Sequence, residues 1–152
     1  KVGSIIYKRE MNRTAEKYHM ESKKLERSVS NIEEAQKSFS DKIDKTLTDI
    51  SDIVEKITNI FGENSFKKYD FNNRTYSGKF SQIIFESVIV AGLLGSEESL
   101  KWSEPDETKK KYKAIYEEGK EFDSYFTHHT GKGKNIESRI LTMKNVLFEE
   151  SE

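Results

Sequence analysis

The chain has 152 residues, of which 34% are hydrophobic and 35% charged, and its 26 Lys+Arg against 27 Asp+Glu leave a net charge of −1. That length suffices for one domain with a real core, while the near-neutral balance supplies no global field toward nucleic acid or an anionic membrane. Cysteine is absent, which excludes disulfides, thiolate catalysis and cysteine-based zinc sites, and accords with a reducing compartment such as the cytoplasm.

No membrane partner is expected. The first ten residues, KVGSIIYKRE, hold only three consecutive apolar residues, unlike a signal peptide or anchor. The chain opens on Lys1 rather than Met, so a single helical domain over residues 1–152, cut from a larger protein, is the expected organisation.

From Met11 to Phe61 there is neither Gly nor Pro, and apolar residues return with a three-four rhythm at Met11, Ala15, Tyr18, Leu25, Val29, Ile32, Phe39, Ile43, Ile50, Ile53 or Val54, Ile57 and Ile60. Ser22, Gln36 and Thr46 stand at three of the expected apolar places. A period near 3.5 predicts amphipathic helix with coiled-coil character. The simplest arrangement is an antiparallel hairpin broken near Ser28–Asn31, where Asn31 with Glu34, or Ser30 with Glu33, has the form of a capping box. One long helix is the alternative.

Gly62 follows as a C-terminal cap. The connector Glu63–Gly78 is rich in turn residues, and its aromatics Phe66, Tyr69, Phe71 and Tyr76 predict a loop pinned to the core. Stacking on nucleic-acid bases is the functional alternative for those rings. Phe80–Leu94 is the most apolar stretch, with Glu86 its only charge. It predicts a buried central helix over residues 80–94, too short to span a bilayer and capped by Gly95.

Glu97–Trp102 predicts a short helical turn. Ser103, Pro105 and the acids Asp106 and Glu107 read as the start of a further helix, with Ser103 as its cap and Tyr112, Ile115, Tyr116, Gly119, Phe122 and Phe126 as its buried stripe. Lys109–Lys111 and Lys113 read as solvated surface. Asn135 is the expected cap of a last helix with core residues Ile136, Ile140, Met143, Val146 and Leu147, and Glu149–Glu152 should fray. The predicted fold is therefore all-α, with about five helices packed around the central one.

Candidate chemistry is sparse. The loop Thr127–Lys134 combines His128, His129, Gly131 and Gly133 with Lys132 and Lys134 and leads into a helix N-terminus, a pattern suited to backbone phosphates. With Arg139 these lysines are the candidate nucleic-acid contacts. The loop lacks the spacing and preceding strand of a P-loop. Adjacent histidines point apart, with no third ligand at metal-site spacing, so neither a metal nor a cofactor is expected. Glu86 is the best candidate for a perturbed carboxylate, with pairing to a base such as Arg139 as the simpler role. No nucleophile–base–acid set is readable.

The order Phe61-Gly62-x-x-x-Phe66, then Phe85-Glu86 in an apolar helix, then Phe126-x-x-x-Thr130 and Arg139-Ile140 resembles the C-terminal helical part of the GmrSD-type restriction family (domain of unknown function 262). The resemblance spans roughly residues 10 to 147. Members of that family begin with a ParB/sulfiredoxin-like domain, some end in an HNH-type nuclease domain, and some use nucleotides in restricting foreign or modified DNA. Neither the acid-Gly-Gln-Gln-Arg signature nor an HNH-like pattern occurs here. Ser81 and Lys67 stand where the family often has Asn and Arg. The resemblance implies a non-catalytic helical accessory or regulatory domain of a restriction or phage-defence protein, with DNA backbone and the parent's other domains as partners. The alternative is a self-association or protein-interaction module built on the heptads of residues 11–61, with a second copy of the chain as partner.

Overall fold

The computed structural model describes residues 2–117 and 131–149, with side chains from Lys8 onward. Helix α1 runs unbroken over Val2–Phe61, so the expected hairpin is replaced by the long-helix alternative. No Gly or Pro interrupts Met11–Phe61, and the serine at the supposed break stays in the ladder, Ser28 Oγ donating to the Lys24 carbonyl at 3.0 Å. A capping box needs an extended first residue, and Asn31 is helical. The chain divides into two compact units, Lys1–Thr46 and Leu47–Glu152. In the first, which is the N-terminal part of α1, every side chain from Lys8 to Thr46 is exposed.

In the second unit α1 ends as predicted at Gly62, whose φ of +56° is the left-handed conformation that glycine adopts without a Cβ penalty. A single 3-10 turn, Gly62–Asn64, follows. The all-α expectation is then corrected. Strands β1 (Lys67–Asp70) and β2 (Thr75–Phe80) form an antiparallel hairpin in the predicted loop, pairing Tyr69 with Tyr76 and Asp70 with Thr75. Asn72-Asn73 is the hairpin's turn. Asp70 accepts from the Asn73 backbone N–H at 3.0 Å and from its side-chain amide at 2.8 Å, an Asx-type closure that also lowers the Asp70 carboxyl pKa.

Helix α2 spans Gln82–Glu97, and the Ser81 hydroxyl accepts from the Ile84 N–H at its start. The predicted 80–94 helix is thus displaced at both ends. Phe80 belongs to β2, and Gly95 is an interior helical residue, not a cap. The stop is made by Ser99, whose φ is +57°, while Leu100 N–H reaches back to the Gly95 carbonyl at 2.8 Å. No separate helix forms over Glu97–Trp102. Instead Trp102 makes an isolated antiparallel bridge to Phe148.

Helix α3 spans Pro105–Glu117 with Pro105 in its first position. Ser103 is not its side-chain cap, because that hydroxyl accepts from Lys111 Nζ at 3.1 Å. The Thr108 N–H donates to the Glu104 carbonyl instead. Of the predicted stripe, Tyr112 is buried and Ile115 and Tyr116 pack partly against the core. Gly119, Phe122 and Phe126 lie outside the described residues. Helix α4 spans Gly133–Leu147, starting before the predicted Asn135 cap, with Lys132 in the cap position and no side-chain hydrogen bond there. Met143, Val146 and Leu147 are core as expected, whereas Ile136 is exposed. Glu149 does not fray, since its N–H bonds the Lys101 carbonyl and its carboxylate pairs with Lys101 Nζ at 2.8 Å.

The core gathers Ile53 and Ile57 of α1, Ile84, Val88 and Ala91 of α2, and Met143 and Leu147 of α4 around Phe148. Glycines allow the closest approaches. A Cβ on Gly92 would lie 2.8 Å from Ile53 Cδ1, and one on Gly95 only 2.1 Å from Phe148 Cε2. Since the Phe148 ring is itself fully buried, it has nowhere to retreat. Gly95→Ala should therefore destabilise the second unit by about 1–3 kcal/mol through overpacking. Gly78→Ala, with nothing within 4 Å of the added carbon, should cost far less. Urea unfolding of the two variants followed by tryptophan fluorescence checks the contrast.

Candidate interaction surface

The exposed part of α1 carries an apolar stripe outside the core. Counting the rhythm as heptads puts Ala15, Ser22, Val29, Gln36 and Ile43 at a, and Met11, Tyr18, Leu25, Ile32, Phe39 and Thr46 at d, all on one face of the helix. Leu25 and Phe39 are 67% exposed, Ile32 57% and Ile43 45%. The same two positions continue through Ile50, Ile53, Ile57 and Ile60. There, within the second unit, Ile53, Ile57 and Ile60 are buried and Ile50 packs against the core. One stripe is thus covered along one stretch and bare along the other. Large exposed apolar patches rimmed by polar residues are a common feature of interaction sites. Helices in water also draw most of their stability from packing such a face.

The residues singled out for nucleic acid separate. Lys132 and Lys134 are exposed at the start of α4. Arg139 is only 5% exposed, so its side chain offers little surface to a DNA backbone. Burial lowers the Arg139 pKa, and the charge of Glu86 opposes that shift. Glu86 itself is exposed and accepts from Gln82 Nε2 at 2.7 Å. Lys144, from the same basic segment, pairs with Glu98. His128, His129 and Thr130 lie outside the described residues.

Among the described residues that carry the family resemblance, Phe61, Phe66 and Phe85 have packing roles. Phe61 meets Tyr112 edge-on at 5.2 Å, and Phe66 meets Phe85 at 5.0 Å. Phe66 holds a φ of +57°, strained for an aromatic residue, while its carbonyl accepts from the Ser81 N–H at 2.9 Å. Phe66, Tyr69 and Tyr76 are therefore core partners, and Phe71 alone of the connector aromatics is exposed.

Two hydrogen-bonding roles escaped the sequence reading. Lys111, expected on the surface, bonds the Phe148 carbonyl at 3.0 Å as well as Ser103. Tyr112 donates to the Lys67 carbonyl at 2.8 Å and lies 3.1 Å from the Tyr116 hydroxyl. Lys111 sits in a lysine run and Tyr112 on an amphipathic stripe, so neither pattern announces these long-range bonds.

The enclosed apolar space bounded by Ile57, Phe61, Ile84 and Tyr112 measures about 10 Å³, room for one water and no ligand. Among the described residues no group of three His, Cys, Asp or Glu could hold a metal ion, and no helix is long and apolar enough to cross a membrane. No protein-family model matches this chain, and no curated protein or solved structure does either.

Burial raises the Tyr112 phenol well above its usual 10.0, and Tyr116 adds to the shift. Above pH 10 the unfolded chain therefore loses this proton before the folded one does, and stability falls as pH rises. Tyr112→Phe should cost about 1 kcal/mol at neutral pH through the lost hydrogen bond. It should also flatten the alkaline decline, measured as urea midpoints between pH 8 and about pH 11.

Proposed function

We propose that this chain is a helical self-association module, with the heptads of α1 as its coiled-coil element. The observation that carries the reading is the change in one stripe's surroundings. Its a and d residues are core in the second unit and bare from Met11 to Ile43. Burying that face against another helix would remove Leu, Ile, Val and Phe side chains from water, at about 1.5–3 kcal/mol each when burial is complete. The reading assigns no catalytic residue.

Light scattering over a range of concentrations tests it. The expected result is a mass that rises from 17.7 kDa toward an integral multiple. Leu25→Asp with Ile32→Asp should weaken association by about 100-fold or more, since two buried side chains are lost per helix. Both positions lie outside the second unit, so its unfolding transition should persist. A mass of 17.7 kDa at every concentration would sink the reading.

A second reading, the accessory domain of a DNA-restriction protein, is supported by the motif order and by the exposure of Lys132 and Lys134. It expects salt-dependent binding to duplex DNA that weakens when both lysines are changed to Glu. Binding unchanged by that double substitution counts against it.

A further inference from the structure

We infer that the partner of α1 is a second copy of the same helix running antiparallel, in the register that seats Val29 of one copy on Ile32 of the other. This rests on the self-association reading above and adds orientation and register to it. Three features of the helix point the same way.

The first is charge. Over the bare stretch, residues 15–28 carry four Lys/Arg and three Glu, whereas residues 33–46 carry three Lys and four Asp/Glu. These two segments are mirror images about the point between Asn31 and Ser30. Antiparallel pairing therefore sets a segment of net +1 beside one of net −1, and parallel pairing sets each beside its like. Opposite potentials favour the first arrangement and penalise the second.

The second is side-chain size. In this register an a residue of one copy meets a d residue of the other. Ser22 meets Phe39, Gln36 meets Leu25, Ala15 meets Thr46 and Tyr18 meets Ile43. The small Ser22 thus receives the large Phe39, the alternation that fills space without voids. In a parallel dimer Phe39 would face Phe39 and Tyr18 would face Tyr18, while Ser22 faced only Ser22.

The third is the flanking charge. The antiparallel register places Glu21 by Lys42, an attraction occurring twice by symmetry, and Glu26 by Glu33, a repulsion of the same multiplicity. The parallel dimer has the repulsive pair Glu21 with Glu26 and no attractive one to offset it.

The absence of cysteine makes the test direct. Spin labels are placed on single-cysteine variants of the full chain, Arg13→Cys and Met20→Cys, both exposed and on the side of the helix away from the stripe. Inter-label distances are read by pulsed dipolar spectroscopy. With a rise of 1.5 Å per residue, the inferred dimer places the labels roughly 50 Å apart along the axis at position 13 and roughly 30 Å apart at position 20. Equal short distances at both positions would overturn the antiparallel arrangement and leave self-association standing. Values near 40 and 20 Å would mean a register shifted by one heptad, overturning the seating of Ser22 on Phe39. No dipolar signal at either site would overturn both the inference and the reading beneath it.

Discussion

The second unit depends on how Phe148 is held. Its ring lies where a side chain on Gly95 would be, 4.8 Å from the Trp102 ring centroid. Its N–H closes the end of α4 on the Lys144 carbonyl, and its own carbonyl accepts from Lys111 of α3. One residue thereby joins α2, α3 and α4. The ring fills the space left by a missing Cβ, and a cation satisfies a carbonyl that the helix end leaves open. Lys56 of α1 adds its ammonium over Trp102 at 4.6 Å, so the tryptophan is bracketed by an apolar ring and a charge.

The hairpin and its aromatics make the other half of this core. Tyr69, Tyr76, Tyr112 and Phe61 form a continuous ring cluster, and the Tyr112 hydroxyl satisfies a carbonyl of β1. A two-stranded hairpin is marginal alone in water. Here it is stabilised by packing its rings on helices, which is why so short a sheet persists in a helical unit.

The heptads of α1 obey the same hydrophobic logic in both units with opposite outcomes. Where α2 supplies Gly92 and Val88, the isoleucines of α1 are buried and the Ile53 side chain reaches the space a Gly92 Cβ would fill. From Lys8 to Thr46 the face is solvated, and the polar Ser22, Gln36 and Thr46 interrupt it. Polar residues at such positions weaken a coiled coil and restrict its register.

Much of this was legible in the residues themselves. The three-four rhythm marks Met11–Phe61 as helical though not as one unbroken helix, Gly62 marks its end, Pro105 with its acids the start of α3, and Met143, Val146 and Leu147 the inner face of α4, because these signals act within a few residues. The hairpin was hidden because its strands are short and each carries only one clearly core-facing tyrosine, so alternation never builds up. Gly95 resembles a cap in sequence, and only the ring of Phe148, distant along the chain, makes it a packing residue. Arg139 reads as a surface cation, and its burial depends on how α2 and α4 meet. The sequence by itself determined where helices form and which faces are apolar, since propensity and periodicity are local. Tertiary structure alone decided which stretch of the α1 stripe is covered, because burial depends on what the rest of the chain brings alongside.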